Sequence, residues 1–205
     1  MDVKTTVKYH YLKGLANYAN GNSNLEEASI ALENLNKVID LESNSSNKLY
    51  TSKADELRIA MLNKFVDDSK NNLDNQDYKG AYLNLEMSYR ISPADTLYLY
   101  NAALIATENS DFDIALSFYN ELIDIGFTGI TTNYYAIEKA TGEEQAFQNP
   151  DQRSLFIKAG THENPRDADM ESVEIDVLRS MAAIYKNNKD YENAIIYLEK
   201  AKTID

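Results

Sequence analysis

Apolar residues recur along most of this chain at helical spacing, and short polar turns divide the resulting helices into pairs. The clearest pair is residues 96–129, TLYLYNAALIATENSDFDIALSFYNELIDIGFTG, where two amphipathic stretches flank an Asn-Ser-Asp turn. Ala102 and Ala103 stand where the first helix would approach the second closely. The segment therefore predicts one helical hairpin.

The same spacing predicts helices on both sides of that hairpin. Asn24 is a suitable N-cap for a helix that begins at Leu25. Pro93 favours the end of another helix near Ile91, because the residue before a proline is disfavoured in helical conformation. Predicted helices cover about 4–18, 25–39, 51–72, 78–91 and 175 onward, with polar turns at 20–24, 41–48 and 71–76.

A code of small and bulky residues recurs in these pairs. Each second helix has an alanine near its start, and successive alanines are 53, 34 and 79 residues apart. The middle spacing is 34, and the first and last equal 34 plus insertions of 19 and 45 residues. A small residue precedes each alanine by twelve positions, and a large apolar residue follows it by four. The alanines are Ala28, Ala81, Ala115 and Ala194, the small residues are Ala16, Ser69, Ala103 and Ala182, and the large ones are Leu32, Leu85, Tyr119 and Leu198.

This code resembles the tetratricopeptide repeat, a helical hairpin of 34 residues. The resemblance implies an all-α fold, a tetratricopeptide-like right-handed α-superhelix of helical hairpins, in a single domain over 1–205. A generic helical bundle is the alternative. Because the last repeat ends before its 34 residues are complete, we expect further repeats beyond Asp205 or an exposed apolar stacking face. The repeats would cover about 9–41, 62–95, 96–129 and 175–205, with an insertion at about 130–172.

The insertion has a different pattern. Residues 130–137 carry β-branched and aromatic side chains, and 144–148 can supply a partner strand across a short turn. We expect a two-stranded β-hairpin, then one or two helical turns that begin at Pro150 and end at Gly160. Residues 161–169, THENPRDAD, are expected to form a loop.

The stretch LIDIGFTGITTNYYAIEKATGEEQAF, followed by KAGTHENPRDADMES, resembles an insertion in tetratricopeptide proteins of Bacteroidetes. That resemblance implies a periplasmic or envelope-associated protein. The residues after Met1 lack the basic and apolar layout of a signal peptide. A cytoplasmic protein and an exported protein without its leader would both look like this, so composition and spacing give no location.

Composition excludes several classes of function. The net charge of -13, from 33 acidic and 20 basic side chains, would repel a polyphosphate backbone, so nucleic acid is not expected as a partner. The absence of cysteine excludes disulfides, thiolate metal sites and a cysteine nucleophile. The apolar runs are too short to span a bilayer, so we expect no transmembrane segment.

Signatures of catalysis are also missing: the chain has no GxxxxGK[ST], GxGxxG, HExxH or GxSxG sequence. His162, with Glu163, Asp167 and Asp169 nearby, could form a metal or acid/base cluster, but the spacing matches no known ligand set. The sequence therefore predicts a protein that is not an enzyme and holds no metal or cofactor.

The resemblance instead implies binding of a protein or peptide partner in a concave groove lined by the first helices. The apolar groove residues are the expected contacts, although they could equally contact the inserted hairpin. The alternative function is a structural arm of a larger cell-envelope assembly, or a homo-oligomer formed through the terminal face. The implied groove positions are His10, Lys13, Asn17, Val66, Lys70, Leu97, Tyr100, Asn101, Leu104, Asp176, Arg179 and Lys186.

A subtype of the family binds chaperone tails through a clamp of Lys and Asn side chains around a carboxylate. Lys13 and Asn17 match its first pair, but the second repeat offers Asp67, whose charge would repel a carboxylate. The third repeat offers Leu97 and Asn101 in place of two cations. The clamp is therefore not expected here.

Overall fold

The computed structural model describes residues 2–18, 24–147, 149–169 and 171–204. Most of the turn predicted at 20–24, Gln148 in the predicted second strand, and Asp205 lie outside the described residues. The chain divides into two compact units, Met1–Ile125 and Gly126–Asp205, and each is described by itself. The single domain over 1–205 stays a prediction.

The predicted all-α class is confirmed, because most described elements are helices that pack in hairpins, with a small sheet inserted. The first unit contains α1 (Val3–Asn17), α2 (Leu25–Glu42), α3 (Thr51–Asp74), α4 (Tyr78–Ile91), α5 (Leu97–Glu108) and α6 (Phe112–Asp124). The second unit contains β1 (Thr132–Glu138), β2 (Glu144–Phe147), α7 (Pro150–Lys158), β3 (His162–Asp169), α8 (Glu174–Asn187) and α9 (Tyr191–Ile204).

Small residues let the helices of the first unit pack closely. Each helix from α1 to α5 packs against the next one along the chain. Ala28, Ala81 and Ala115 are fully buried, as the repeat code predicts. Asn24 caps α2, since its side-chain oxygen accepts a hydrogen bond from the Glu27 N–H at 2.9 Å.

Three hairpins turn through the same Asn-X-Asp sequence, at 75–77, 109–111 and 188–190. The central residue, Gln76, Ser110 or Lys189, has a φ of 60°, 62° or 63°. The N–H of the following aspartate donates to the carbonyl oxygen five residues earlier. This bond closes the Schellman motif that ends the first helix of each hairpin. The first hairpin has Asn-Gly-Asn-Ser-Asn at 20–24 instead.

The repeat register predicted for the first hairpin is wrong. Ala16 is exposed, whereas Gly14 is buried, and a Cβ added to Gly14 would lie 3.0 Å from the Leu35 side chain. Gly14 precedes Ala28 by fourteen residues rather than twelve. Seven residues, 18–24, lie between α1 and α2, whereas three lie between the helices of each other hairpin. The small residues predicted for the other repeats, Ser69, Ala103 and Ala182, are buried.

The second unit holds a three-stranded antiparallel sheet in the order β2-β1-β3. The loop predicted at 161–169 is wrong, because residues 162–169 form β3 and pair with β1 from Thr132↔Asp169 to Glu138↔His162. The predicted two-stranded hairpin is thus one part of a larger sheet. The helix predicted from Pro150 is α7, and it packs against all three strands.

Helices α8 and α9 form the hairpin of the second unit. Ala194 is buried at 6% exposure, as the code predicts. Leu198 is 47% exposed, unlike its counterparts Leu85 at 8% and Tyr119 at 0%. No helix within the described residues combines the length and the apolar character needed to cross a bilayer.

Candidate functional site

Helix α5 separates its small side chains from its large ones. Leu99, Ala102, Ala103 and Ala106 are fully buried and let α5 pack against both α4 and α6. The predicted groove residues occupy the opposite side of the helix at i, i+3, i+4 and i+7 spacing. They are Leu97, Tyr100, Asn101 and Leu104.

That outer side of α5 offers an apolar surface with one amide. Leu97 is 38% exposed, Tyr100 and Leu104 are half-buried, and Asn101 is exposed. Large apolar side chains with an adjacent amide can bury a partner's apolar side chains and hydrogen-bond its backbone. The structure therefore brings four of the predicted site residues together on one helix.

The adjacent helices hold α5 in a fixed setting. The Arg90 guanidinium on α4 binds Glu121 on α6 through both terminal nitrogens, and its Nε donates to Glu86 at 2.7 Å. Hydrogen bonds from Arg90 hold the pKa of the Glu121 carboxyl below its usual value, although burial acts in the opposite direction. The same bonds raise the pKa of Arg90. Both shifts favour the charged forms, so this ion pair between the hairpins keeps both charges around neutral pH.

On α3, Val66 is half-buried and Lys70 is exposed one turn later, with its ammonium 3.6 Å from Asp67. Towards the start of the same helix, a shallow cavity of about 380 Å³ opens beside Arg58. The Arg58 guanidinium donates to the Ile91 carbonyl oxygen at 2.8 Å, which satisfies the C-terminus of α4. The cavity is lined by Asp55, Arg58, Ile59, Leu62, Ile91 and Ser92.

On α1, Lys13 is exposed, and the Asn17 side-chain amide donates to the Lys13 carbonyl oxygen at 2.8 Å. Gly14 rather than Ala16 makes the close approach on α1. Counted from Gly14, the repeat code gives Tyr11 and Leu15 as groove positions beside the predicted Lys13 and Asn17, and all four stay predictions as binding residues. Sequence reasoning missed Leu15, which is 39% exposed, although the small side chain of Gly14 was the signal that could have identified it.

Arg179 and the other predicted positions of the second unit lie on α8. Arg179, Asp176 and Lys186 are all exposed. They belong to a different unit from α5. In both units, a binding role of the predicted residues stays a prediction.

Both histidines make contacts within the fold. Nδ1 of His10 lies 2.8 Å from Oδ1 of Asn34, which joins α1 to α2. His162 is 3% exposed, its Nε2 lies 2.7 Å from Gln145 Oε1, and its ring packs edge-on against Phe147 and Phe156. Nearby acidic side chains on β3 are exposed. Within the described residues, no group of three or more His, Cys, Asp or Glu could hold a metal ion.

No protein-family model and no curated protein sequence matches this chain. Among solved structures, the crystal structure of MamA is similar over 98% of this chain and 77% of that chain, with 14% sequence identity and a TM-score of 0.38.

Proposed function

We propose that this protein is a non-catalytic interaction scaffold that binds a peptide or partner domain along the outer side of its first helices. The observation that carries the proposal is the outer side of α5. Leu97, Tyr100 and Leu104 place large apolar groups there, while the side that packs on neighbouring helices consists mainly of alanine. Partly exposed apolar and aromatic side chains grouped on one helix are typical of binding hot spots.

Polar residues at the other predicted groove positions fit the same role. In the first unit, Lys13 and Lys70 are exposed cations, and Asn17 and Asn101 carry amides. Amide and cationic side chains can hydrogen-bond the backbone and carboxylates of a bound segment, and so fix its direction. Val66 extends the apolar surface on α3. We therefore propose that the partner combines apolar side chains with an extended or helical backbone.

A selection from a phage-displayed library of random peptides tests the proposal. The enriched peptides are titrated against the wild type, against a Leu97→Ala/Tyr100→Ala variant and against Ile114→Ala. Ile114 lies on α6 with 39% exposure, which matches the 38% of Leu97, so it controls for the loss of an exposed apolar group. Urea unfolding of each variant checks that the fold is kept.

We expect at least a tenfold loss of affinity in the double variant, since hot-spot residues each contribute more than about 1 kcal/mol. The control variant should bind as the wild type does. Equal affinity of all three proteins, or a selection that enriches no peptide, would remove the α5 site.

A second candidate function is self-association or a structural arm in a larger assembly, including one of the cell envelope. The exposed apolar surface of α9 favours it, because five large apolar side chains of this helix are each more than 40% exposed. They are Tyr191, Ile195, Ile196, Leu198 and Ile204. Light scattering of the purified chain separates this candidate from a monomeric scaffold.

A further inference from the structure

The outer side of α9 departs from the packing of the other second helices. Leu198 occupies the repeat position of Leu85 and is 47% exposed, while Leu85 is 8% exposed. Leu85 lies on α4, which packs between α3 and α5. The residue type at position 198 therefore suits a helix that has another helix on its outer side.

The first two and a half turns of α9 carry charge of a single sign, and the basic residues Lys200 and Lys202 follow them. Residues 191–199, YENAIIYLE, contain Glu192 and Glu199 and no basic residue. Tyr191 and Ile195 are 61% and 55% exposed between these carboxylates. A complementary surface must therefore be apolar and basic.

Helix α1 has such a surface. It contains Lys4, Lys8 and Lys13 and no acidic residue, in a chain whose net charge is -13. Tyr9 and Leu12 are 52% and 48% exposed. Together with the exposed Ala16, they follow each other at i, i+3 and i+7 and form an apolar stripe opposite buried Val7 and Gly14.

We propose that the outer side of α9 in one copy of this protein binds the outer side of α1 in a second copy. Tyr9 and Leu12 cover Ile195 and Leu198, while the lysines of α1 pair with Glu192 and Glu199. The contact is heterologous, because it joins two different surfaces of the chain. It rests on the second candidate function, self-association through α9, and is independent of the proposed peptide site on α5.

An interface of one helix per partner falls at the small end of specific interfaces, so we expect affinities between micromolar and millimolar. The average mass measured by light scattering should rise with protein concentration above the 23.2 kDa of one chain. Added salt should reduce that rise, since the flanking contacts are exposed ion pairs.

Two variants that each block one surface give the decisive experiment. Leu12→Glu places an acid in the α1 stripe, and Ile195→Lys places a base in the α9 stripe. Both residues are about half exposed, so the fold should tolerate either change. Ile59→Lys on α3, where Ile59 is 58% exposed, is the matched control. Far-ultraviolet circular dichroism checks the helical content of each variant.

We expect each blocked variant alone to be a monomer at all concentrations. An equimolar mixture of the two should regain association, because each copy keeps the one surface that the other lacks. Ile59→Lys should associate as the wild type does. Both monomeric variants should keep any peptide binding at α5, so the failure of one proposal is distinguishable from the failure of the other.

Three results would overturn the inference. A wild type that is monomeric at every protein concentration would indicate that another protein, and not a second copy, covers α9. Leu12→Glu would still associate if α9 pairs with α9. A mixture of the two variants that remains monomeric would show that the two surfaces do not bind each other.

Discussion

The hydroxyl of Tyr82 on α4 donates a hydrogen bond of 2.9 Å to Oδ2 of Asp111, in the turn between α5 and α6. The Asn109 amide donates to the same carboxylate oxygen at 2.8 Å. Tyr82 is 2% exposed, and burial together with the Asp111 carboxylate raises the pKa of Tyr82 to about 12. The bond joins the third hairpin to the second and so helps to fix the position of α5.

Replacing Tyr82 with Phe should lower the free energy of unfolding by about 1 kcal/mol, the usual net value of one hydrogen bond. Asp111 keeps the Asn109 bond and contact with water, which limits the loss. Urea unfolding measures it. Tyr78→Phe, at a residue 37% exposed on the same helix, should stay within about 0.5 kcal/mol of the wild type.

This pair also gives a dependence on alkaline pH. The pKa of Tyr82 is about 12 in the folded protein and 10.0 for an ordinary tyrosine, so the folded state holds its proton more tightly. The corresponding stabilisation is complete below pH 10 and falls as the pH rises towards 12. The stability difference between the wild type and Tyr82→Phe should therefore shrink over that range. A constant difference would contradict the assigned bond.

Gly14 should tolerate no larger side chain. A Cβ there would lie 3.0 Å from Leu35 and 3.3 Å from the Ala31 carbonyl oxygen, so Gly14→Val should destabilise the protein by about 2 kcal/mol through overpacking. Ala16→Val adds the same branched side chain type at an exposed position and should change stability by less than about 0.5 kcal/mol. Thermal unfolding compares the two. If Ala16→Val proved the more damaging change, the register with Ala16 at the close approach would be right.

The register error shows what a repeat code can and cannot supply. Helices and buried alanines follow from local spacing, because 3.6-residue periodicity places Ala28 and its counterparts on one face. The offset of twelve residues holds only where the turn has the same length. The Asn-X-Asp turn is shared by three hairpins and missing at 20–24, so the turn sequence carries the information that the alanine spacing lacks.

Strand β3 shows the complementary failure. Its sequence, HENPRDAD, has a proline and five charged or amide side chains after His162, and no alternation of apolar residues. It is a strand because it pairs with β1, and strand formation depends on such neighbours more than on the residues themselves. The apolar site on α5 was predictable because it lies within one helix. A site that depends on contacts between distant segments gives no such local signal.

Glu42 is another long-range contact that local spacing does not reveal. It is 4% exposed at the end of α2, and its carboxylate accepts hydrogen bonds from the N–H groups of Leu49, Tyr50 and Thr51 at 2.8–3.0 Å. The Thr51 hydroxyl donates a fourth bond at 2.7 Å. A buried carboxylate thus caps the N-terminus of α3, where the helix dipole favours negative charge.

Replacing Glu42 with Gln should lower the free energy of unfolding by about 2 kcal/mol, because an amide nitrogen would face N–H donors in place of a charged acceptor. Glu33→Gln is the control, since the Glu33 side chain is 62% exposed. Urea unfolding at neutral pH measures both. Equal stability of the two variants would mean that the cap contributes nothing.

Acid should weaken the same cap. Burial tends to raise the pKa of the Glu42 carboxyl, but hydrogen bonds from Thr51, Tyr50 and Leu49 outweigh it, so the pKa is lowered. The stabilisation is therefore complete above pH 4.5, the ordinary value, and is lost as the pH falls through the lowered pKa. The difference between the wild type and Glu42→Gln should narrow only below pH 4.5.

Arg153 is the main polar contact of the inserted sheet. Its side chain is 12% exposed, donates to the Arg166 carbonyl oxygen at 2.9 Å and binds the Asp167 carboxylate on β3. The guanidinium also lies 5.4 Å from the centre of the Tyr134 ring on β1. One planar side chain thereby joins α7 to two strands.

Arg153→Lys keeps the charge but loses this planar, multiply bonded geometry. Local opening of α7 should become about tenfold more frequent, which corresponds to about 1.4 kcal/mol. Amide hydrogen exchange of 150–158 measures that change. Lys158→Ala, at an exposed position on the same helix, should leave the exchange rates unchanged. Equal protection of α7 in both variants would show that packing of Phe156 alone holds this helix.

The Asn-X-Asp turns offer a gain in stability. Ser110 has a φ of 62°, where a side chain costs energy and glycine does not, so Ser110→Gly should raise the free energy of unfolding by about 0.5–1 kcal/mol. Asn109→Gly is the matched control, because Asn109 has a φ of -76° and its side chain bonds to Asp111. That change should be destabilising, since it adds backbone freedom to the unfolded chain and removes the bond. Differential scanning calorimetry of both variants measures the two opposite shifts, and a loss of stability in Ser110→Gly would contradict the strain assigned to this turn.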